Sequence, residues 1–380
     1  MLLPCSRLPS CSRRVVSTLS ENPLIYDVDY RFSDSFIARH RKQLLQWNSS
    51  LVKAQGHRAQ FAKKNRDKTD QYLSKLRNVL CNQRRSIVPI GSSVNGLCGK
   101  NSDLDLVLIT DDNESRRLEY CEKFKNNEHF RRSQMNAVSG MLKSAKLVEP
   151  GSFQQILFSA VPILKFTTRE GITVDLQFNN IGPIRSSLFV RTCVQFSIIV
   201  PIVLHWINSF FDTIKLKNSR HGLFSTYHLN MLALHFLQNR TFPVLPDILA
   251  SCPRLQPNTP WQEVAEILSS RDAKVHILND SFIPLDAAPA EVIIKMIDYF
   301  SQIDLYNLSI DICGNVYKRL PEDTEDSFIQ LIDPYFPEDT LPHARCTVRN
   351  GPSLVQQAFS AMKSDLRSGI VPKFLRISRS

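Results

Sequence analysis

Asp103 and Asp105 head the apolar run Leu106, Val107, Leu108 and Ile109, and Asp175 interrupts a second apolar pattern between Gly171 and Phe178. A carboxylate has no place on a buried strand unless something pairs with it. Residues two apart on a strand share a face, so Asp103 and Asp105 point the same way while Leu104, Leu106 and Leu108 point into a core. In the later segment Ile172, Val174, Leu176 and Phe178 take the apolar face, leaving Asp175 on the other. Neighbouring strands would bring the three carboxylates together. They would then repel one another unless cations neutralised them. Hard divalent ions such as Mg²⁺ favour carboxylate and phosphate oxygens. Two such ions in a carboxylate cluster activate an attacking hydroxyl and stabilise a departing pyrophosphate. Twelve residues before Asp103 stands Gly91-Ser92-Ser93, a glycine turn whose backbone and hydroxyls suit a phosphate. The plainer alternative makes Asp103 a loop cap and Asp105 an exposed strand residue.

These residues need strands beneath them. "SIVPI" at 86–90 reads as a short strand ending in the glycine turn, followed by the strand "DLDLVLIT". Further strands are expected at 153–158, 161–168 and 172–178, the last two joined by a hairpin turn at "REG". Helical periodicity covers 34–80, 115–145, 187–214, 225–238, 261–269 and 290–301, with prolines punctuating the loops beyond 240. The expected class is α+β and bilobed, a mixed-sheet half packed on a mainly helical half with a cleft between them.

Of 380 residues, 43% are hydrophobic, enough for one large bilobed unit or two domains. No apolar run reaches the roughly 18 residues of a membrane helix. The nearest approach, 194–207, contains Pro201 and His205. Nine scattered cysteines without a C-x-x-C pair suit reduced, mostly buried thiols inside a cell and argue against structural zinc. The net charge is +11, and residues 1–90 account for all of it with 17 Lys or Arg against 6 Asp or Glu. A polyanion such as RNA is the partner this implies, although a solvated helix face would carry the same charge. Residues 1–20 hold three arginines, five serines and no acid. That suits a mitochondrial transit peptide or an ordinary tail, and Pro4 and Pro9 favour the tail.

The stretch "GSSVNGLCGKNSDLDLVL" resembles the active-site signature of the polymerase-beta-like nucleotidyltransferases. Within them the chain is similar to the cytoplasmic poly(A) polymerases, chiefly of the germline-development type, and to the terminal uridylyltransferases. The likeness continues through "VDLQFNNIGPIRSSLFVRTC" and "RHGLFSTYHLNMLALHFLQ", and more weakly through "EVIIKMIDYF" and "IQLIDPYF". It runs from about residue 75 to 346. It implies a catalytic unit at 81–185 and a helical central unit at 186–346, including a poly(A)-polymerase-associated region near 288–343. A basic helical segment at 25–80 would fold back on the helical unit, with 1–24 and 347–380 as tails.

The resemblance further implies that Asp103, Asp105 and Asp175 hold two Mg²⁺ or Mn²⁺ ions, and that Gly91 and Ser92 hold the triphosphate. Tyr227 would stack on the base and Thr226 would reach the triphosphate. Two positions depart from the family. Ser186 replaces an asparagine that reads the ribose, and Asn208 replaces a lysine that meets the triphosphate; Lys215 or Lys217 would have to compensate. The implied activity is transfer of AMP from ATP to an RNA 3′ end, with an RNA-binding partner protein, in the cytoplasm or else the mitochondrion, and with no membrane. The alternatives are UMP transfer, although His343 lies two residues too far beyond Asp333-Pro334-Tyr335-Phe336 and reads as a loop histidine rather than the family's uracil reader, and a catalytically silent RNA- or protein-binding module.

Overall fold

The computed structural model describes residues 22–369 apart from 101, 160, 271–272, 276, 278–281, 283–286, 320–326, 337–344 and 347. Cys5, Cys11, the segment 1–20 and His343 lie outside the described residues. The other seven cysteines are free, and Cys193, Cys252 and Cys346 are buried.

Helix α1 (Arg31–Arg39) leads into the 40-residue α2 (Arg41–Leu80). Then come β1 (Ser86–Ile90), the single turn α3 (Ser92–Asn95) and β2 (Leu104–Ile109). The expected helix over 115–145 is two, α4 (Glu114–Asn126) and α5 (Glu128–Ser144). Extended Asn127 separates them, and its side chain caps the second by accepting from the Phe130 amide. Strands β3 (Gln154–Ile156), β4 (Ile163–Thr167) and β5 (Thr173–Phe178) follow. The sheet order is β1-β2-β5-β4-β3, with β2 and β5 parallel and every other neighbouring pair antiparallel. The parallel pair needs a long crossover, which α4, α5 and the hairpin supply.

The expected helix over 187–214 also breaks in two. Helices α6 (Gly182–Phe196) and α7 (Ile199–Thr213) meet at 118°, with Ser197 extended between them. Among the described residues no single helix is long and apolar enough to cross a membrane, only this bent pair passes on combined length, and both its helices are largely buried. Next are α8 (Thr226–Gln238), α9 (Trp261–Ser269) and α10 (Pro289–Phe300). A second sheet follows, built from β6 (Leu308–Asp311), β7 (Val316–Lys318), β8 (Ile329–Ile332) and β9 (Arg345–Cys346). Its strands have two to four residues, too few to show a period. The expectation of a tail over 347–380 is corrected for 351–367. Helix α11 (Gly351–Arg367) buries Val355, Phe359, Met362 and Leu366, an i, i+4, i+7, i+11 stripe that seats it on α10.

Two apolar cores result. The smaller one gathers Leu104, Leu106 and Leu108 with Leu164, Phe166, Val174 and Leu176 from one face of the five-stranded sheet. The larger one holds α6 to α11, and also takes Val88, Ile90, Val107 and Ile109 from the sheet's other face. Helix α2 enters both, with Leu44 and Leu51 in the larger core and Tyr72, Leu73, Leu76 and Leu80 in the smaller. Between Gln55 and Tyr72 none of its residues is buried, so α2 is a strut about 60 Å long joined to a core at each end.

Candidate active site

Hydrogen-bonded register puts Asp105 of β2 opposite Asp175 of β5, and Asp175 opposite Lys165 of β4. Paired residues on neighbouring strands project to one face about 5 Å apart. Asp103 lies two residues before Asp105, at the head of β2. The face is the one that Val107 and Ile109 share, which packs into the larger core. The three carboxylates thus stand where the sheet meets the helical lobe, and the expected convergence is present.

Lys165 closes the row. Its Nζ lies 2.8 Å from Asp103 Oδ2 and 2.8 Å from Asp175 Oδ1. Burial alone would lower its pKa, but the two carboxylates outweigh that and raise it. Asp105 has no such bond. Burial first, then the charges of Asp175 and Asp103, push its carboxyl up to about 7. One ammonium among three acids leaves a surplus of negative charge, and that surplus is the fit test for divalent cations. The donors are hard oxygens and their mutual repulsion is only partly relieved. Among the described residues no group of three or more His, Cys, Asp or Glu side chains stands arranged to hold a metal ion; Lys165 is bonded to two of the three acids.

Gly91 sits against the same cluster. Its φ is +64°, and a Cβ there would come 2.6 Å from Asp105 Oδ2. Glycine is required both by the backbone and by the carboxylate. Its N–H donates to Ser187 Oγ at 2.8 Å, and that hydroxyl donates to the Pro183 carbonyl at 2.6 Å. The bond from Gly91 ties the end of β1 to α6. Ser92 begins α3 and is half-buried, with no hydrogen bond from its hydroxyl to any described residue.

Ser186 is buried, and its hydroxyl turns back to the Pro183 carbonyl at 3.4 Å. Asn208 of α7 is spent on packing as well. Its Nδ2 donates to the Leu204 carbonyl and to Asn230 Oδ1 of α8, both at 2.8 Å, while its Oδ1 is buried without a partner among the described residues. Lys215 is exposed, with φ at 63°. Lys217 is half-buried, and desolvation lowers its pKa. With half-buried Arg58 of α2 it faces His205 of α7, whose pKa burial and these two cations hold down at about 3. Neither Arg58 nor Lys217 forms an ion pair with any described acid, and the buried His205 Nε2 has no hydrogen bond to any described residue.

Thr226 opens α8 and is exposed, behind Ser225, whose Oγ caps the helix by accepting from the His228 amide at 3.1 Å. The Tyr227 hydroxyl donates to Asp333 Oδ2, and its ring meets Phe336 edge-on with centroids 5.6 Å apart. Phe336 in turn lies against Gly182 at the start of α6, where a Cβ would come 2.4 Å from the ring. Asp333 and Phe336 therefore set the position of Tyr227. Asp333 is 3% exposed, and burial raises its pKa to about 7. In the sequence both residues serve only as landmarks for His343. Reading along single strands also misses Lys165, although pairing 161–168 with 172–178 across the Gly171 turn sets it opposite Asp175.

Comparison with known proteins agrees with this geometry. Residues 49–195 match the family described as "Poly(A) RNA polymerase, mitochondrial-like, central palm domain". Over 164 residues, 41% of the chain, it is 28% identical to Poly(A) RNA polymerase GLD2 of Danio rerio, covering 29% of that protein. Over 167 residues, 42% of the chain, it is 27% identical to the Homo sapiens GLD2, covering 32%. The chain thus matches under a third of the length of these curated relatives. The GLD-2 chain of a GLD-2/RNP-8 complex superposes with a TM-score of 0.63 at 18% identity, over 86% of this chain and 94% of that one. The Cid1 poly(U) polymerase gives 0.56 at 15% identity, over 88% and 94%. Residues 49–195 are thus similar to the palm-domain family of the mitochondrial-like poly(A) RNA polymerases, and the chain shares the fold of the GLD-2/RNP-8 and Cid1 structures.

Proposed function

We propose that this chain is a template-independent RNA 3′-terminal nucleotidyltransferase that adds AMP from ATP. The observation that carries the reading is the in-register pair Asp105 and Asp175, with Asp103 beside them, on the sheet face turned to the second lobe. The relatives' name, Poly(A) RNA polymerase, supports adenylyl transfer. Two divalent cations, Mg²⁺ or Mn²⁺, when bound would neutralise the triphosphate and sharpen the RNA 3′-hydroxyl as a nucleophile. Asp103 and Asp105 would hold both, and Asp175 the one nearer the hydroxyl. Gly91 keeps the space over Asp105 free of a side chain. Tyr227, held by Asp333 and Phe336, offers its exposed part for stacking on the base, and Thr226 at the start of α8 would donate to the triphosphate. Asn208 carries no charge for that role, and Lys215 or Lys217 would have to supply it. Ser186 would leave ribose selection weak.

Two structural neighbours fit a metal–nucleotide site, a mutant Cid1 bound to MgATP and a mutant mtPAP with ATPgammaS. Others pair GLD-2 with RNP-8 and with GLD-3, which supports a partner protein here too; that the partner binds RNA is part of the proposal. The resemblance of the sequence to cytoplasmic poly(A) polymerases supports the cytoplasm, and the matched family's description, mitochondrial-like, supports the mitochondrion.

The Cid1 neighbours carry the second reading, UMP transfer. Purified protein incubated with a labelled RNA, Mg²⁺ or Mn²⁺ and one nucleoside triphosphate at a time separates the two. Extension by ATP supports the adenylyl reading, and extension by UTP alone replaces it with the uridylyl one. RNA binding without extension under any condition leaves a silent binding module.

A further inference from the structure

Lys165 is the one described cation that contacts the carboxylate cluster, and it does so with good geometry. Its ammonium is 2.8 Å from an oxygen of Asp103 and 2.8 Å from an oxygen of Asp175. Its side chain is 15% exposed, against 40% for Asp103 and 20% for Asp175, so it is the least exposed of the three. The strand pairing that fixes Asp175 also fixes the Lys165 backbone, in direct register one strand over. A magnesium-sized ion takes carboxylate oxygens at about 2.0–2.1 Å and tolerates little departure from octahedral geometry. Oxygens that share their lone pairs with an ammonium are only partly available to it.

We propose that Lys165 is the resident cation of this cluster, the counter-ion of Asp103 and Asp175 in the metal-free chain, which a divalent cation must displace in order to bind. This deepens the reading of the three acids as a metal site and rests on it. The ammonium stabilises the unloaded fold, where three acids on one sheet face would otherwise repel. It also weakens the first metal–carboxylate contact. The cluster then loads fully only when a metal arrives with further negative charge, as it does on a nucleoside triphosphate. Lys165 thereby couples metal occupancy to substrate occupancy.

The test uses the full chain without RNA or nucleotide, and Mn²⁺ as the probe, with binding read from the free-ion electron paramagnetic resonance signal. Lys165→Met and Lys165→Gln remove the charge and keep most of the side-chain length. Both should bind Mn²⁺ about tenfold more tightly than the wild type, because no ammonium competes for the oxygens. Without metal both should melt about 2–4 °C lower, and Mn²⁺ should restore more of that loss than it adds to the wild type. Lys165→Arg should stay near the wild type in both readouts. Unchanged or weaker Mn²⁺ binding in the Met and Gln variants overturns the inference, since Lys165 would then build the site rather than compete for it. Asp175→Asn separates this from the parent reading. If that variant and the wild type take up Mn²⁺ equally, the metal site itself is refuted. If Asp175→Asn loses Mn²⁺ while the Lys165 variants match the wild type, only the Lys165 inference falls.

Discussion

Gly91 and Asp105 share a space that holds one side chain, and Tyr227 and Asp333 share a hydroxyl; each pair makes a prediction about single atoms. Gly91→Ala brings a Cβ 2.6 Å from Asp105 Oδ2 and strains a backbone at φ +64°. It should cost about 1–3 kcal/mol in urea unfolding and abolish nucleotide addition, because the carboxylate must move. Tyr227→Phe should raise the ATP KM, since the phenol that fixes the ring on Asp333 is gone. Asp333 adds a pH dependence. Burial lifts its carboxyl to about 7, above the ordinary value near 4, so the folded chain holds that proton more tightly than the unfolded one. Its contribution is therefore complete below about pH 4 and is lost as pH rises through about 7. Thermal melts across that range should show a shallower loss in Asp333→Asn than in the wild type. Spacing alone exposed the three acids, because period two is the rule of every strand. Lys165 and Asp333 were hidden because their partners come from across a hairpin and from a helix 106 residues earlier in the chain.

At the scale of elements, α2 does two jobs. Its ends are buried in separate cores, while its middle, from residue 56 to 71, is unburied and carries Arg58, Lys63, Lys64, Arg66 and Lys68 against Asp67 and Asp70. A helix that must cross a gap between two lobes has no apolar stripe there and remains soluble through charge. Those same charges suit a phosphodiester backbone. Replacing Lys63, Lys64, Arg66 and Lys68, all exposed, with glutamine should leave the fold unchanged. It should weaken RNA binding and flatten the plot of log affinity against log salt by about 1 for each phosphate no longer neutralised. An unchanged slope would make the basic strut a solvated face and nothing more. The major helices and the five strands were legible from periodicity. The break at Ser197 was not, because apolar residues continue through it, and the one at Asn127 was not, because the polar run Lys125 to His129 also suits the exposed face of one continuous helix. The second sheet was missed because its strands are no longer than two periods, and α11 because its four-residue stripe is diluted by polar neighbours.

At the scale of the whole molecule, the first and last described helices are tied together by a buried acid. Asp298 of α10 is fully buried; it accepts from the Ser33 amide of α1 at 3.0 Å and pairs with Lys363 of α11. Asp298→Ala strands Lys363 and takes the acceptor from the Ser33 amide and the Gln302 side chain, which should cost about 3–5 kcal/mol, measured by denaturant unfolding. Little of this was legible, since a lone Asp in an apolar helix does not reveal which distant segments come to meet it. The bilobed arrangement was legible, and so was the place of the acids between the lobes. The most direct measurement is extension of a labelled RNA by wild type and Asp175→Asn side by side, with ATP and Mg²⁺ or Mn²⁺ and with circular dichroism confirming that both are folded. Wild type should extend the RNA, and folded Asp175→Asn should extend it at least about 1,000-fold more slowly, the loss of some 4 kcal/mol of transition-state stabilisation. Equal rates, or a wild type that binds RNA and never extends it, would contradict a metal-dependent transfer centre at Asp103, Asp105 and Asp175.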